Sequence, residues 1–322
     1  MQRGRDNVSI FDGQGGQKMI EKTTIIGMGA LGLLYGDMIA SAKGADGIRF
    51  VMDPERMEKY RGTVFSCNGE KKTFRMECCE TTEPADLVIV AVKYNGLQGA
   101  LDTMKNCVGP DTVILSVMNG ISSERIIGER YGHQHLITAV AQGMDAMKFG
   151  TELRYTKRGE LRIGAEDESQ RKNLQEVAAF FDEVRIPYTI EENILYRMWG
   201  KFMLNVGVNQ TCMAYETNYA GALEEGSEAN QTMICAMREV IALANAEKIP
   251  LSEKDLRDYV DLLKTLSPEG VPSMRQDALS GRRTEVEMFA GTVIRMAEEY
   301  KIPVPANQFL YEKIKTMERT FK

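Results

Sequence analysis

From Lys22 onward, apolar residues fall first into short uninterrupted runs and later onto long helical faces. Residues 23–27 form a brief β-branched run and residues 48–52 a second. Residues 87–92 are apolar throughout, as expected of a strand covered on both faces. Residues 112–117 repeat that pattern and residues 136–141 do so more weakly. Helical periodicity separates several of these runs, beginning with residues 30–42. Strand and helix in alternation predict an α/β domain with a doubly wound parallel sheet. A helix over 169–181 and a strand-like 188–190 close this part. From residue 191 the strand signal almost vanishes. Helical patterns follow over 193–212, 228–247, 252–266, 277–280 with a continuation to 300, and 307–320. The expected organisation is an α/β domain over residues 19–190 and an all-α domain over 191–322. Residues 1–18 are polar and rich in Gly and Gln, and read as a flexible extension ahead of the fold.

Composition fits this picture. A chain of 322 residues with 43% apolar and 27% charged residues can fill two ordinary cores. A net charge of −6 gives no support to a nucleic-acid role and argues against an anionic membrane surface, although a local lysine can still hold an anionic substrate. No apolar run approaches the roughly 20 residues that span a bilayer. Residues 1–18 lack the apolar stretch of a secretory signal, so the expected location is the cytoplasm. Six cysteines without a C-x-x-C pair read as free thiols. The two histidines, His133 and His135, sit in a polar stretch without a convincing third ligand, and no metal site is expected.

The first candidate chemistry is Gly27-Met28-Gly29-Ala30-Leu31-Gly32, a G-x-G-x-x-G string between a strand and a helix. In that context Gly27 permits a tight turn, Gly29 admits a pyrophosphate to the backbone, and Gly32 lets the helix pack closely. The helix start offers free N–H groups to phosphate. The first domain is therefore expected to be a Rossmann-type dinucleotide-binding domain. Asp53 ends the second strand, at the offset where a carboxylate accepts hydrogen bonds from an NAD ribose; it equally suits a cap before Pro54. Arg49, Arg56 and Arg61 are close in sequence, and Arg56 is placed to meet an NADP phosphate. The second candidate is the stripe Lys201, Asn205 and Asn209. At about 100° per residue these positions drift by only about 40° per step, so they share one face of a helix. Their neighbours are largely apolar, and a buried polar stripe needs partners or a ligand. Desolvation would lower the pKa of Lys201 towards the range useful for acid–base chemistry. A structural polar network is the other reading of the same stripe.

These motifs, with three more, resemble the ketopantoate reductase family from about Lys22 to the C-terminus. The further motifs are Ala91-Val92-Lys93 after a buried strand, Asn119-Gly120 after another, and Ser273-Met274-Arg275-Gln276-Asp277 followed by Thr284-Glu285. The resemblance implies reduction of 2-dehydropantoate to pantoate by hydride transfer from NAD(P)H, in pantothenate and coenzyme A synthesis. It implies that Lys201 is the general acid and that Glu285 organises it and meets the substrate hydroxyl. Asn205, Asn209, Ser273 and Asn119 would bind substrate. Residues Gly27 to Gly32, Asp53, Lys93, Asn119 and Met144 would meet the cofactor. It also implies a homodimer. Plainer readings stand beside these: a surface lysine at Lys93, a turn at Asn119-Gly120, a helix cap at Ser273, and a surface pairing of Glu285 with Arg282 or Arg283. Three positions depart from the family pattern. Asp53 stands where an arginine is common, which opens NAD(H) as the alternative to NADP(H). Gly270 replaces a frequent Asn, and Met144 a small residue. A reductase of another, bulky or aromatic 2-oxo acid using NADH is the competing expectation. A non-catalytic nicotinamide-binding regulator is the third.

Overall fold

The computed structural model describes residues 19–321; the extension expected over residues 1–18 lies outside them. In chain order the strands are β1 (Thr23–Ile26), β2 (Ile48–Met52), β3 (Phe65–Cys67), β4 (Glu70–Lys72), β5 (Met76–Cys78), β6 (Leu87–Val90), β7 (Val113–Ser116), β8 (Leu136–Met144), β9 (Met147–Phe149), β10 (Glu152–Arg154), β11 (Arg158–Gly164) and β12 (Tyr188–Ile190). Eight of them form the main sheet in the order β12-β11-β8-β7-β6-β1-β2-β5. Its centre is parallel and apolar: every residue of β1, β6 and β7 is buried. Neighbouring side chains of a strand face opposite ways. Ile25 accordingly enters a core formed with α1 (Ala30–Lys43) and α5 (Arg171–Val184). Ile26 enters the opposite core with Leu97, Leu101 and Ile127.

Two features of the sheets differ from the sequence expectation. The sheet is not parallel throughout, because β11 runs antiparallel to β8. A second, four-stranded sheet, β4-β3-β10-β9, was not anticipated. Its strands are three residues long, too short to show an alternating pattern.

The remaining helices of the α/β part are α2 (Pro54–Tyr60), α3 (Leu97–Thr103) and α4 (Ser123–Tyr131). After β12 the chain is helical: α6 (Ile194–Ala214), α7 (Tyr219–Leu223), α8 (Glu228–Ala246), α9 (Glu253–Lys264), α10 (Ser273–Leu279), α11 (Ala290–Tyr300) and α12 (Pro305–Glu318). The axis of this part is α6, started by the side chain of Asn193, which accepts the N–H of Tyr196. Phe202, Met203 and Val206 of α6 pack with Met233, Met237 and Val240 of α8 and with Leu310 and Ile314 of α12. None of the described helices is long and apolar enough to cross a membrane.

The helix expected over 277–300 is broken. The chain leaves α10 through Gly281, whose φ of +66° is unfavourable for other residues. It then turns through residues 285–289 before α11. Glu318 of α12 fixes the break by accepting the N–H of Thr284 at 2.6 Å and its hydroxyl at 2.7 Å.

Gln210 holds α6 to these later helices. Its Oε1 accepts the N–H of Ala290 at 3.0 Å, and its Nε2 donates to Asn307 Oδ1 at 3.1 Å. It is fully buried. Gln210→Leu leaves both groups unpaired and should cost about 1–3 kcal/mol. In urea unfolding the midpoint should fall with an unchanged m-value; an unchanged midpoint would contradict this role.

Candidate active site

Strands β1, β2, β6, β7 and β8 run parallel to one another, so their carboxyl ends share one edge. From β1 the chain first builds outward through β2 and β5, then returns to place β6 on the other side of β1. That reversal is the topological switch point at which open α/β sheets bind ligands. Gly27 follows β1 there with φ +108°, and a Cβ on it would lie 2.5 Å from the carbonyl oxygen of Ala91. A Cβ on Gly32 would lie 2.0 Å from the Gly27 oxygen. Glycine is thus required at both positions, and α1 can sit close against the loop. Gly29 is the N-cap of α1, no side chain caps that end, and its first turn has no acidic residue. The free N–H groups at this end suit an anion such as a pyrophosphate. Met28 is buried, and Ala30 and Leu31 are half-buried against the α/β core.

Asp53 follows β2 directly and caps α2: its Oδ1 accepts the N–H of Arg56 at 2.8 Å. The capping alternative therefore describes its geometry. Of the three neighbouring arginines, Arg49 is committed elsewhere, to Thr24 Oγ1 at 2.9 Å and Glu77 Oε2 at 3.0 Å. Arg61 pairs with Glu58 at 2.7 Å. Arg56 stands at the Asp53 corner, its Nε 3.5 Å from Asp53 Oδ2.

Lys201 reaches this edge from α6. Its Nζ donates to Asn119 Oδ1, just after β7, at 2.8 Å and to the Ala141 carbonyl of β8 at 2.5 Å. Asn205 is half-buried on the same stripe. Asn209 is 4% exposed and its Oδ1 has no protein partner. Buried amide oxygens are rarely left unpaired, so this atom is a candidate for ligand contact. Lys93, after β6, bonds Asp277 Oδ2 of α10 at 2.5 Å, and Arg282 Nε reaches Asp277 Oδ1 at 2.9 Å. Lys93 is therefore a bridge between the two parts of the chain rather than an isolated surface lysine.

Burial dominates the electrostatics. It pulls the pKa of Lys201 down to about 8, helped by the charge of Arg197, while Glu285 and Glu124 act upward. Burial pushes Glu285 upward; the charge of Lys93, the N–H of Tyr94 and the charge of Lys201 oppose this, and Asp277 reinforces it. Glu285 thus lies in the charge field of Lys201, Lys93 and Asp277, on the turn after the broken helix, and not on a continuous helix surface.

Two expected residues are less engaged. Ser273 is the exposed first residue of α10 and does not cap it. Met144 ends β8 opposite Arg158, half-buried against the α/β core. The substituted position Gly270 lies against Tyr219: a Cβ there would come within 3.0 Å of the ring. Sequence reasoning gave no role to the Ala141 carbonyl, Asp277, Arg197 or Glu124. Only Asp277 carried a signal, its place in the Ser273 motif.

The descriptions "Ketopantoate reductase PanE/ApbA" and "Ketopantoate reductase PanE/ApbA C terminal" match residues 23–168 and 193–318. The chain belongs to the ketopantoate reductase family. It is 28% identical over 319 residues to a 2-dehydropantoate 2-reductase of Aquifex aeolicus (strain VF5), covering 93% of this chain and 98% of that protein. A ternary structure of D-mandelate dehydrogenase with NADH and anilino(oxo)acetate matches with a TM-score of 0.81 at 21% identity, over 93% of this chain and 99% of that one. A dimeric ketopantoate reductase from Staphylococcus aureus matches with a TM-score of 0.76 at 19% identity, over 94% and 100%. These two likenesses establish the shared fold of the family member.

Because the Glu285 charge raises Lys201, Glu285→Gln should lower the Lys201 pKa below its value of about 8. Competitive acetylation of the lysines across pH, read by mass spectrometry, measures this; a rise would reverse the assigned coupling.

Proposed function

We propose that the chain reduces 2-dehydropantoate to pantoate with NAD(P)H, in pantothenate and coenzyme A synthesis. The observation that carries this reading is Lys201, tied to Asn119 and Ala141 at the carboxyl edge of the sheet, on one stripe with the unpartnered Asn209. The glycine cradle at Gly27, Gly29 and Gly32 fits the dinucleotide pyrophosphate, with Met28, Ala30 and Leu31 completing the loop. Asp53, Lys93, Asn119 and Met144 are assigned to the rest of the cofactor. A bound nicotinamide supplies the hydride.

The residues of the chain supply the remainder. Lys201 as ammonium protonates the carbonyl oxygen while hydride reaches the carbon, so the negative charge on oxygen is quenched as it forms. Asn119 and Ala141 aim the ammonium. Glu285 helps to hold Lys201 charged and accepts a hydrogen bond from the substrate hydroxyl. Asn205 and Asn209 bind the polar groups of the substrate, and Ser273 binds its carboxylate. The dimeric relative and the exposed Leu262, Leu266 and Phe309 of the helical part favour a homodimer. The cytoplasm is the location consistent with this role.

A second reading is favoured by two features: Asp53 beside β2, and Gly270, which offers no side-chain amide where the family pattern often has an Asn. Together they suit an NADH-dependent reductase of a bulky or aromatic 2-oxo acid. Steady-state rates with 2-dehydropantoate and phenylglyoxylate, each with NADH and NADPH, separate the readings. Turnover of 2-dehydropantoate is expected; turnover of phenylglyoxylate alone, with NADH, transfers the chain to the second.

Lys201→Ala should cost about 10²–10⁴-fold in kcat while dinucleotide binding persists. Retained turnover would remove Lys201 from the chemistry. Reduction needs the ammonium form. Its rate should therefore be level below pH 8 and fall as pH rises through the Lys201 pKa of about 8. Oxidation of the hydroxy acid needs the amine and should show the opposite limb; a reduction rate still rising above pH 8 would contradict the assignment.

A further inference from the structure

We propose that Arg197 is a positioning residue for Lys201: with Gln142 it clamps α6 onto β8, and it places a second cation one helical turn from the lysine. This rests on the proposed role of Lys201 as proton donor and names what seats and tunes that donor.

The clamp follows from the alternation of β8. Ala139 and Ala141 belong to the core shared with α5. Val140 faces the other way and packs with Ile194 and Met198 of α6. Gln142 is the next residue on that face. Its Oε1 accepts Nη2 of Arg197 at 2.5 Å. Ile194, Arg197, Met198 and Lys201 recur at spacings of three and four, so one face of α6 lies along the strand. Lys201 donates to the carbonyl of Ala141, the residue before Gln142, at 2.5 Å. A closed loop results. It runs from Lys201 to Ala141, across one peptide bond to Gln142, through that side chain to Arg197, and back along one turn of α6. Neither cation can slide along the strand without stretching the other's bond.

The clamp is itself braced. Gln142 Nε2 donates at 2.8 Å to Oε1 of Glu160, its partner in the β8–β11 ladder. That bond turns the amide so that its oxygen faces Arg197. Glu160 also accepts Arg162 Nε at 2.9 Å and Nη2 at 2.6 Å, and the Thr189 hydroxyl at 3.1 Å. Arg162 Nη1 donates to Glu191 Oε1 at 3.0 Å, and the same oxygen is 4.0 Å from Arg197 Nε. The network thus returns to Arg197 around residues 190–193, where the chain leaves the sheet for α6. On the far side Arg197 Nη1 donates to the Tyr259 hydroxyl of α9 at 3.4 Å. Gly200 makes room for that ring, since a Cβ there would lie 2.5 Å from the hydroxyl oxygen.

The charge of Arg197 is only partly cancelled. The two groups that accept from its guanidinium, Gln142 and Tyr259, are neutral, and Glu160 is engaged with Arg162. Like charges four residues apart on a helix repel. Arg197 therefore favours the neutral amine of Lys201, against Glu285 on the turn before α11 and Glu124 of α4, which favour the ammonium. The Lys93–Asp277 pair stands on the Glu285 side. A donor must be charged before hydride transfer and must release its proton during it. A fixed seat aligns Nζ, and a neighbouring cation eases the release.

The test compares the full-length wild type with Arg197→Met, Arg197→Lys, Gln142→Leu, the Met/Leu double variant and Lys201→Ala. Arg197→Met should lose about tenfold in kcat for reduction, as a misaligned donor does. Its alkaline limb should move to higher pH, because the repelling cation is gone. Competitive acetylation, which needs no substrate, should show a raised Lys201 pKa in the same variant. Arg197→Lys, which restores the charge and one donor, should return the rate and the limb towards wild type. Gln142→Leu should also lower kcat, and the double variant should lose no more than Arg197→Met alone, because the two side chains act as one clamp. A lower rate with the limb and the Lys201 pKa unmoved would make Arg197 merely structural and overturn the proposal, as would losses that multiply in the double variant. If Lys201→Ala retains turnover, the proton-donor reading fails and this one with it. If Lys201→Ala is inactive and Arg197→Met keeps the wild-type rate and pH profile, this proposal alone fails.

Discussion

The site depends on one contact, the hold that Asn119 and Ala141 of the α/β part have on Lys201 of the helical part. An ammonium removed from water costs several kcal/mol unless acceptors replace its hydration. Here both acceptors come from the other part of the chain. The lysine is satisfied only when α6 lies against the carboxyl edge of the sheet. Nine residues along the same helix, Gln210 binds the start of α11 and the side chain of Asn307. Since a helix rises about 1.5 Å per residue, these anchors are roughly 13 Å apart along a rigid rod. The position of Lys201 is thus set by the packing of the helical part as much as by its immediate neighbours. The Lys93–Asp277 pair ties the two parts a second time.

Desolvation acts in opposite directions on the charged groups gathered there. It lowers Lys201, and it raises Glu285 and Glu124. Burial penalises whichever form is charged, so the acid and base ranges of neighbouring groups approach one another. The same burial also explains why mutual charge matters: each ionised neighbour partly offsets the desolvation of the other.

The sequence exposed the parts of this arrangement that have local signatures. The apolar runs of β1, β2, β6 and β7, the glycine loop and the stripe from Lys201 to Asn209 each follow from spacing within one element. What it hid depends on distant partners. Asp277 lies 184 residues from Lys93, and Glu318 lies 34 residues from the Thr284 that it holds out of a helix. The broken helix is therefore a tertiary effect acting on a sequence with helical periodicity on both sides of Gly281. The Ala141 carbonyl is backbone and has no residue signature. Glu124 reads as an ordinary acidic residue in a first helical turn, because only the cover supplied by other elements makes it buried. The antiparallel β11 was hidden for the same reason: strand direction depends on the return path of the chain, not on the strand's composition.

On the proposed reading, Asp53 combines a structural role, the cap on α2, with a recognition role in one side chain. Its cap on α2 fixes the carboxylate at the end of β2, at the adenosine end of the glycine cradle on the proposed reading. An oriented carboxylate is a good acceptor for ribose hydroxyls, whereas a 2′-phosphate beside it would meet a like charge. Arg56 moderates that repulsion. Its backbone N–H makes the cap, while its guanidinium is 58% exposed and 3.5 Å from the second carboxylate oxygen. The exposed pair is weak, so the guanidinium can turn outward towards a phosphate without breaking the cap. On the proposed reading, cofactor choice at this corner would be a balance between one capped carboxylate and one exposed arginine. Discrimination built on such a balance is modest, and it can shift with ionic strength because both charges are open to solvent.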